Sequence, residues 1–168
     1  LSTFAGMRAM AEHKSRDDAP IALFVANDHE EVGSASRSGA AGPFLEDVLA
    51  RLYAALGAND EERRRAFNRS IVVSSDVGHS IHPNYPERHD PANQPVAGRG
   101  PILKINADQR YATDAHGAAF WARACAHAGI QYQEFVSNNS MPCGSTIGPI
   151  TATRLGMTTV DVGVPILS

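Results

Sequence analysis

The sequence predicts one α/β domain, and three observations support this fold class. Short apolar runs typical of buried strands alternate with segments whose apolar residues recur at helical spacing, as in α/β domains. The length of 168 residues suits a single domain. Hydrophobic residues make up 43% of the chain and charged residues 20%, which is ordinary for a globular protein with its own core.

The first helix and the first strand follow from apolar patterning. Residues 1–13 are rich in Ala and Met and carry apolar residues at helical spacing, which predicts a helix. The run from Ile21 to Ala26 (IALFVA) contains no polar residue and predicts a strand buried on both faces. A loop rich in Gly and Ser follows, from Val32 to Gly42.

Two helices and a second strand come next. Pro43 suits the first turn of a helix whose apolar residues, between Leu45 and Leu56, line one face. Gly57 is expected to end this helix. Another short helix is predicted from Asp60 to about Arg69, and the run from Ser70 to Ser75 (SIVVSS) predicts a second buried strand.

The second half begins with a long irregular stretch, from Asp76 to Pro101, which is rich in proline. A loop of that length in a compact domain is usually functional or disordered. The remaining elements alternate between strand and helix, and they are predicted as a strand at 102–105, a helix from Thr113 or Asp114 to Ala128 ended by Gly129, a strand at 131–136, a helix at 145–155 closed by Gly156 and a strand at 158–162.

Charge and composition exclude several classes of partner. The net charge is −3, and acidic neighbours precede the basic run Arg63–Arg65, so no nucleic-acid partner is expected. Only two cysteines occur, Cys125 and Cys143, which favours a reducing compartment and a cytoplasmic location. No apolar run reaches the roughly 18 residues that a membrane span needs, so no membrane association is expected.

An acidic segment directly after the predicted strand Ile21–Ala26 is the strongest local signal of chemistry. Asp28, His29, Glu30 and Glu31 stand where open α/β sheets bind their ligands. If the backbone is extended here, the adjacent carboxylates point to opposite sides. One can then bind a metal while the other acts as a general base. A solvated acidic turn is the alternative.

The second predicted strand, Ser70–Ser75, ends in a similar arrangement. Asp76 follows it, and His79 and His82 come three and six residues later, a set suited to metal or substrate binding. Alternatively, either histidine is a loop residue bonded to the backbone. Because both predicted strand ends carry carboxylates, the two segments together support a functional site more strongly than either segment alone.

Four segments resemble sequence blocks of the aspartyl aminopeptidase family, in the order in which that family carries them. They are DHEEVGS (28–34), SSDVGHSIHPNYPERHDP (74–91), GPILKINADQRYATD (100–114) and MPCGSTIGPI (141–150). The resemblance covers essentially the whole chain. It implies a mixed sheet flanked by helices, as in zinc-aminopeptidase catalytic domains. It also implies an enzyme that removes an N-terminal residue, preferably Asp or Glu, from peptides.

The resemblance further implies a two-zinc site. Glu30 matches the family's general base, Glu31 matches a ligand of one zinc ion, and Asp76 matches a ligand of the other. The family also assembles as a cage of twelve identical subunits, so a homo-oligomer is expected. Residues 1–168 are expected to be an incomplete piece of one catalytic domain, without the family's inserted dimerisation domain and three of its five metal ligands. The chain alone is therefore expected to be inactive.

Substrate contacts are implied by the same resemblance for five residues, namely Glu30, Asp76, His79, Lys104 and Tyr111. An acidic substrate side chain needs a cationic partner, and Lys104 is the candidate for that role. Without the resemblance, Lys104 is interpreted as a solvated surface lysine and Tyr111 as an aromatic at the core edge with a wet hydroxyl. Two other functions stay open, a related zinc hydrolase such as an N-acyl amino acid deacylase and a non-catalytic cage subunit.

Overall fold

The computed structural model describes residues 1–14, 16–17 and 19–167. Within them, three helices precede the first strand, and strands alternate with helices from the second strand onward, so the α/β prediction is confirmed. The helices are α1 (Ser2–Glu12), α2 (Phe44–Ala55), α3 (Asp60–Arg69), α4 (Ala115–Ala128) and α5 (Ile147–Leu155). The strands are β1 (Ile71–His79), β2 (Ile102–Ile105), β3 (Gln133–Val136) and β4 (Thr158–Ile166).

The four strands form one mixed sheet in the order β1-β4-β2-β3. β1 and β4 run parallel over nine residues each, and β2 and β3 also run parallel. β2 and β4 are antiparallel, with Leu103 opposite Val162. The mixed sheet flanked by helices is therefore confirmed, and β4 lies at its centre, between β1 and β2.

Successive side chains of a strand point to opposite faces of a sheet, and the core divides accordingly. On one face, Leu103, Val160 and Val162 are buried and pack against α4 residues such as Ala118 and Trp121. On the other face, Ile102 of β2 packs with residues outside that helix, in a cluster of Ile102, Tyr111 and Phe135. The second face also carries Lys104 of β2 and Asp76 of β1, two of the residues for which a function was predicted.

Helix ends follow the predicted signals closely. Asp114 caps α4 by accepting the Gly117 N–H at 2.8 Å, and Gly129 ends that helix in the left-handed conformation. Asn59 and Glu62 form a reciprocal capping box at the start of α3. No described helix is long and apolar enough to cross a membrane.

The predicted strand from Ile21 to Ala26 is wrong. No described residue pairs with this segment in the sheet, and Ile21 and Leu23 are 66% and 51% exposed. An extended apolar run becomes a strand only when a neighbour satisfies its backbone groups. The segment instead lies against α1, where a Cβ added at Gly6 would stand 2.4 Å from the Phe24 ring.

Two strands are longer than predicted. β1 continues to His79 and β4 to Ile166, because residues 76–79 pair in parallel with residues 163–166. The polar and Gly-containing sequence of this part of β1 suggested a loop, and backbone pairing overrides that local preference. The irregular stretch therefore begins after His79, and Asp76 lies within a strand.

Candidate active site

The acidic segment forms a compact turn, so the expectation of an extended backbone there is wrong. Glu30 begins a single 3-10 turn, Glu30–Val32. Adjacent side chains on such a turn diverge by about 120°, so Glu30 and Glu31 still face different directions. Gly33, with φ of +96°, closes the turn, and its N–H donates to the Glu30 carbonyl at 2.9 Å.

His29 fixes the entry into this turn. It adopts the left-handed conformation, with φ of +60°, which His, Asn and Asp tolerate better than other side chains. Its Nδ1 lies 2.7 Å from the Ser36 hydroxyl, and its carbonyl accepts the Ser34 N–H at 2.8 Å. These bonds hold the backbone that presents Glu30 and Glu31.

Asp76 and His79 both lie on β1. Asp76 pairs in register with Gly163 of β4, and its side chain is 40% exposed. His79 is exposed at the end of the strand, where the Nε2 of the buried His89 lies 3.3 Å from its carbonyl oxygen. His82 lies beyond the strand, where its Nδ1 accepts a backbone N–H from Asn84. His82 is thus a loop residue bonded to the backbone, as the alternative interpretation of this histidine predicted.

Lys104 is buried, so its interpretation as a solvated surface lysine is wrong. Its side chain is only 3% exposed, and its ammonium donates to the Val77 carbonyl at 2.7 Å. The same ammonium lies 3.5 Å from an Asp76 carboxylate oxygen and 5.4 Å from the centre of the Tyr111 ring. A buried charge requires such partners, and they place the lysine beside the predicted metal ligand Asp76.

Two glycines make room for Lys104. The lysine starts on β2 and must cross β4 to reach Val77 and Asp76 on β1. A Cβ added at Gly163 of β4 would stand 3.1 Å from Lys104 Cε and 2.8 Å from the Asp76 carbonyl oxygen. At Gly78 it would meet Lys104 Cε at 3.4 Å. Sequence reasoning missed these residues, although glycine inside a strand signals close approach of another group.

Tyr111 is buried next to Lys104, which excludes the wet core-edge hydroxyl inferred from its sequence context alone. Its ring packs edge-on against Phe135, with centroids 6.1 Å apart. Burial raises the pKa of Tyr111 above its ordinary value, and the neighbouring Cys143 adds to the rise. The phenol therefore stays protonated at neutral pH and can act as a hydrogen-bond donor.

Glu30, Glu31, Asp76 and Lys104 share one electrostatic neighbourhood. Burial raises the pKa of Glu30, the negative charges of Asp76 and Glu31 raise it further, and the positive charge of Lys104 lowers it. The sheet and the acidic turn are distant in sequence, and this coupling shows that folding brings them together. Carboxylates held near one another favour a bound cation, because a cation offsets their repulsion.

The donor set fits zinc in kind, since Asp and Glu oxygens are zinc ligands. Among the described residues, no three His, Cys, Asp or Glu side chains stand close enough together to hold a metal ion. Glu31 and Asp76 can therefore supply only part of a coordination shell, as the resemblance implies. Their assignment to two different zinc ions stays a prediction.

Comparisons with known proteins match the whole chain to one family. The sequence profile of the family described as aminopeptidase I zinc metalloprotease (M18) matches residues 1–168. A probable M18 family aminopeptidase 2 of Streptomyces coelicolor is 55% identical over 170 residues, which cover all of this chain and 39% of the relative. The chain thus spans about two fifths of the length of this relative.

Solved structures agree as well. A cryo-EM structure of the Ape4 and Nbr1 complex contains a chain that is 38% identical, with a TM-score of 0.93 over 99% of this chain and 32% of that one. The mApe1 dodecamer of S. cerevisiae matches with 32% identity and a TM-score of 0.70 over 84% of this chain and 31% of that one. The first of these similarities extends over nearly the whole chain.

Proposed function

The chain belongs to the M18 family of zinc metalloproteases, and from that membership we propose that it forms part of the catalytic domain of an aminopeptidase. The proposed enzyme removes N-terminal residues, preferably Asp or Glu, from peptides. One observation carries the proposal, namely that the buried Lys104 ammonium lies 3.5 Å from the Asp76 carboxylate, where both charges act on Glu30 of the acidic turn. This arrangement joins a candidate base, a candidate metal ligand and a candidate substrate-binding group.

Glu30 is the proposed general base. Burial raises the pKa of Glu30, and the like charges of Asp76 and Glu31 raise it further. A raised pKa makes the carboxylate a better proton acceptor. Its position on a turn held by His29 fixes the backbone from which the carboxylate extends. In the proposed reaction Glu30 takes a proton from the attacking water and later delivers it to the leaving amine.

Glu31 and Asp76 are the proposed zinc ligands, one for each of two ions. Zinc, when bound, polarises a peptide carbonyl and lowers the pKa of water. The exposed Glu31 and the half-exposed Asp76 leave their oxygens accessible to a cation. The other ligands would come from parts of the enzyme beyond residues 1–168, because two carboxylates do not complete two coordination shells.

Lys104 is the proposed partner of an acidic substrate side chain. An ammonium group has three protons to donate, and the Val77 carbonyl and the Asp76 carboxylate are the partners of two of them. A third proton remains for a substrate carboxylate. Tyr111, whose ring lies 5.4 Å from the ammonium, is the proposed neighbouring contact, and His79 at the exposed end of β1 is another.

The proposed partner proteins are further copies of the same subunit. The mApe1 structure to which this chain is similar is a dodecamer, and this supports a homo-oligomer, proposed here as a cage of twelve subunits. A cytoplasmic location is proposed from the free cysteines Cys125 and Cys143. The family match, which names an aminopeptidase, favours peptide hydrolysis over the deacylase alternative.

Removal and return of zinc tests the proposed function. The full-length enzyme that carries this chain should cleave a peptide with N-terminal Asp and should lose that activity after dialysis against a chelator. Returning zinc should restore it, and magnesium at the same concentration should not. Activity that survives complete metal removal, verified by elemental analysis, excludes the proposed mechanism. Restored hydrolysis of an N-acyl amino acid in place of a peptide would point to the deacylase.

A further inference from the structure

Asp161 is the most deeply buried charged residue of the described chain, with 0% of its surface exposed. It lies on the central strand β4, opposite Ser74 of β1. Within the described part of the chain, no Lys, Arg or His forms an ion pair with it. A carboxylate buried without a counter-charge needs strong hydrogen bonds, and the donors that supply them come from two different loops.

The first loop is the one that carries Tyr111. The N–H of Ala112, the next residue, donates to one oxygen of Asp161 at 2.6 Å. One residue further along, the Thr113 hydroxyl accepts the backbone N–H of Asp161 at 3.0 Å. Residues 112 and 113 are therefore tied to β4 through both the side chain and the backbone of one residue.

The second loop leads into α5. The Thr146 hydroxyl donates to the other oxygen of Asp161 at 2.6 Å and caps the helix by accepting the Gly148 N–H at 3.3 Å. A Cβ added at Gly148 would stand 2.2 Å from the same carboxylate, so the helix approaches Asp161 as closely as a backbone can. This loop also carries Cys143, which packs against the cluster containing Tyr111.

From these contacts we infer that Asp161 is a positioning residue that sets Tyr111 in place beside Lys104. The inference rests on the proposed function, in which Tyr111 contacts the substrate. Asp161 itself lies out of contact with solvent and acts through Ala112 and Thr146. Hydrogen bonds to a charged acceptor are short and about twice as strong as neutral ones. The Asp161 carboxylate can therefore hold both loops firmly through its bonds to Ala112 and Thr146. Sequence reasoning gave Asp161 no role.

A comparison of Asp161→Ala, Asp161→Asn and Thr159→Val in the full-length zinc enzyme tests this inference. Alanine removes both acceptors, and asparagine keeps one acceptor for Ala112 and a partner for Thr146. Thr159 is the matched control, because it is also buried on β4 and its hydroxyl donates to the nearby Met157 carbonyl at 3.1 Å. Displacement of a substrate-contacting group by about 1 Å costs up to roughly 100-fold.

The KM for an Asp-peptide should therefore rise by roughly 10- to 100-fold in Asp161→Ala and by a smaller factor in Asp161→Asn, with kcat and bound zinc changed much less. Thr159→Val should leave KM within about twofold. Hydrogen exchange of the segment 106–114, measured by mass spectrometry, should increase in both Asp161 variants and not in the control. This measurement does not depend on activity.

A double-mutant cycle with Tyr111→Phe separates positioning from general destabilisation. If Asp161 acts through Tyr111, adding Asp161→Asn to Tyr111→Phe should change KM by less than about twofold. Additive effects, or an equal rise of KM in Thr159→Val, would overturn the inference. If Asp161→Ala does not fold, the Asp161→Asn cycle gives the same test. A normal KM in Tyr111→Phe alone would instead contradict the proposed function, in which Tyr111 contacts the substrate.

Discussion

Replacing Lys104 with methionine should reduce cleavage of peptides with acidic N-termini far more than cleavage of neutral ones. Methionine retains most of the lysine stem, which passes over Gly163 and Gly78, and removes only the charge. The substitution therefore tests the ammonium without emptying the space between β2 and β1. Its partners, the Val77 carbonyl and Asp76, stay in place but lose their donor.

The magnitude follows from the surroundings of the ammonium. Lys104 is buried, so a bond from it to a substrate carboxylate is poorly screened by water, and a hydrogen bond to a charged group contributes about 1.5–3 kcal/mol. This corresponds to a loss of roughly 10- to 150-fold in kcat/KM for an N-terminal Asp or Glu. A peptide with N-terminal Leu does not use the charge and should lose much less.

The assay is the ratio of kcat/KM for Asp- and Leu-peptides, measured in one preparation of the full-length enzyme. Destabilisation of the fold lowers both values together and cancels in the ratio. Lys14→Met is the matched control, because Lys14 is the other lysine of the chain and is exposed. An unchanged Asp-to-Leu ratio in Lys104→Met would refute the assignment of Lys104 to the substrate pocket and leave the metal mechanism untouched.

Three further predictions concern the base, the ligands and the strand packing. Glu30→Gln should retain zinc and lose about 10²- to 10⁴-fold in kcat, because an amide cannot accept the proton from water; turnover near the normal rate in the zinc-loaded variant would exclude Glu30 as the base. Glu31→Ala and Asp76→Ala should each lower the zinc content by elemental analysis, and an unchanged stoichiometry in both would contradict their assignment. Gly163→Ala should lower the free energy of unfolding in urea by about 1–3 kcal/mol, since its Cβ would meet the Asp76 carbonyl at 2.8 Å. Gly144→Ala is the control, because its Cβ would make only an ordinary contact of 3.8 Å, and it should leave the free energy of unfolding nearly unchanged. Equal free energies of unfolding for the two variants would show that β1 and β4 can move apart at little cost.

Much of the fold was readable from the sequence, because its signals are local. Helix α4 begins after Asp114 and ends at Gly129, and both residues act within one turn of the helix that they delimit. The start of α3 at Asp60 was predicted as well, and the reciprocal bonds of Asn59 and Glu62 that hold it lie within that helix and its cap. Glu30 and Asp76 stand out in the sequence because each follows an apolar run and belongs to a motif that resembles the family's, and their roles stay predictions.

What the sequence did not show depends on contacts between distant residues. The strand Ile21–Ala26 has the correct composition, but a strand also needs a partner, and composition says nothing about one. The burial of Lys104 depends on Gly163, which is 59 positions away along the chain and on a different strand. The role inferred for Asp161 also requires the antiparallel pairing of β2 with β4. Because of this pairing, the loop that follows β2 lies beside the central strand, where Ala112 reaches Asp161. No local pattern encodes that arrangement.

The register of β4 connects these features into one constraint. Residues two apart on a strand share a face and are separated by about 6.5–7 Å, so Asp161 and Gly163 lie on the same face of β4. Asp161 holds the loop of Tyr111, and Gly163 admits the stem of Lys104. A shift of β4 by one residue would put Val160 and Val162 on that face, which would bury valine where the carboxylate binds Ala112 and would block the path of the lysine. Both candidate substrate-binding groups therefore depend on one register, and the nine paired positions between β1 and β4 maintain it.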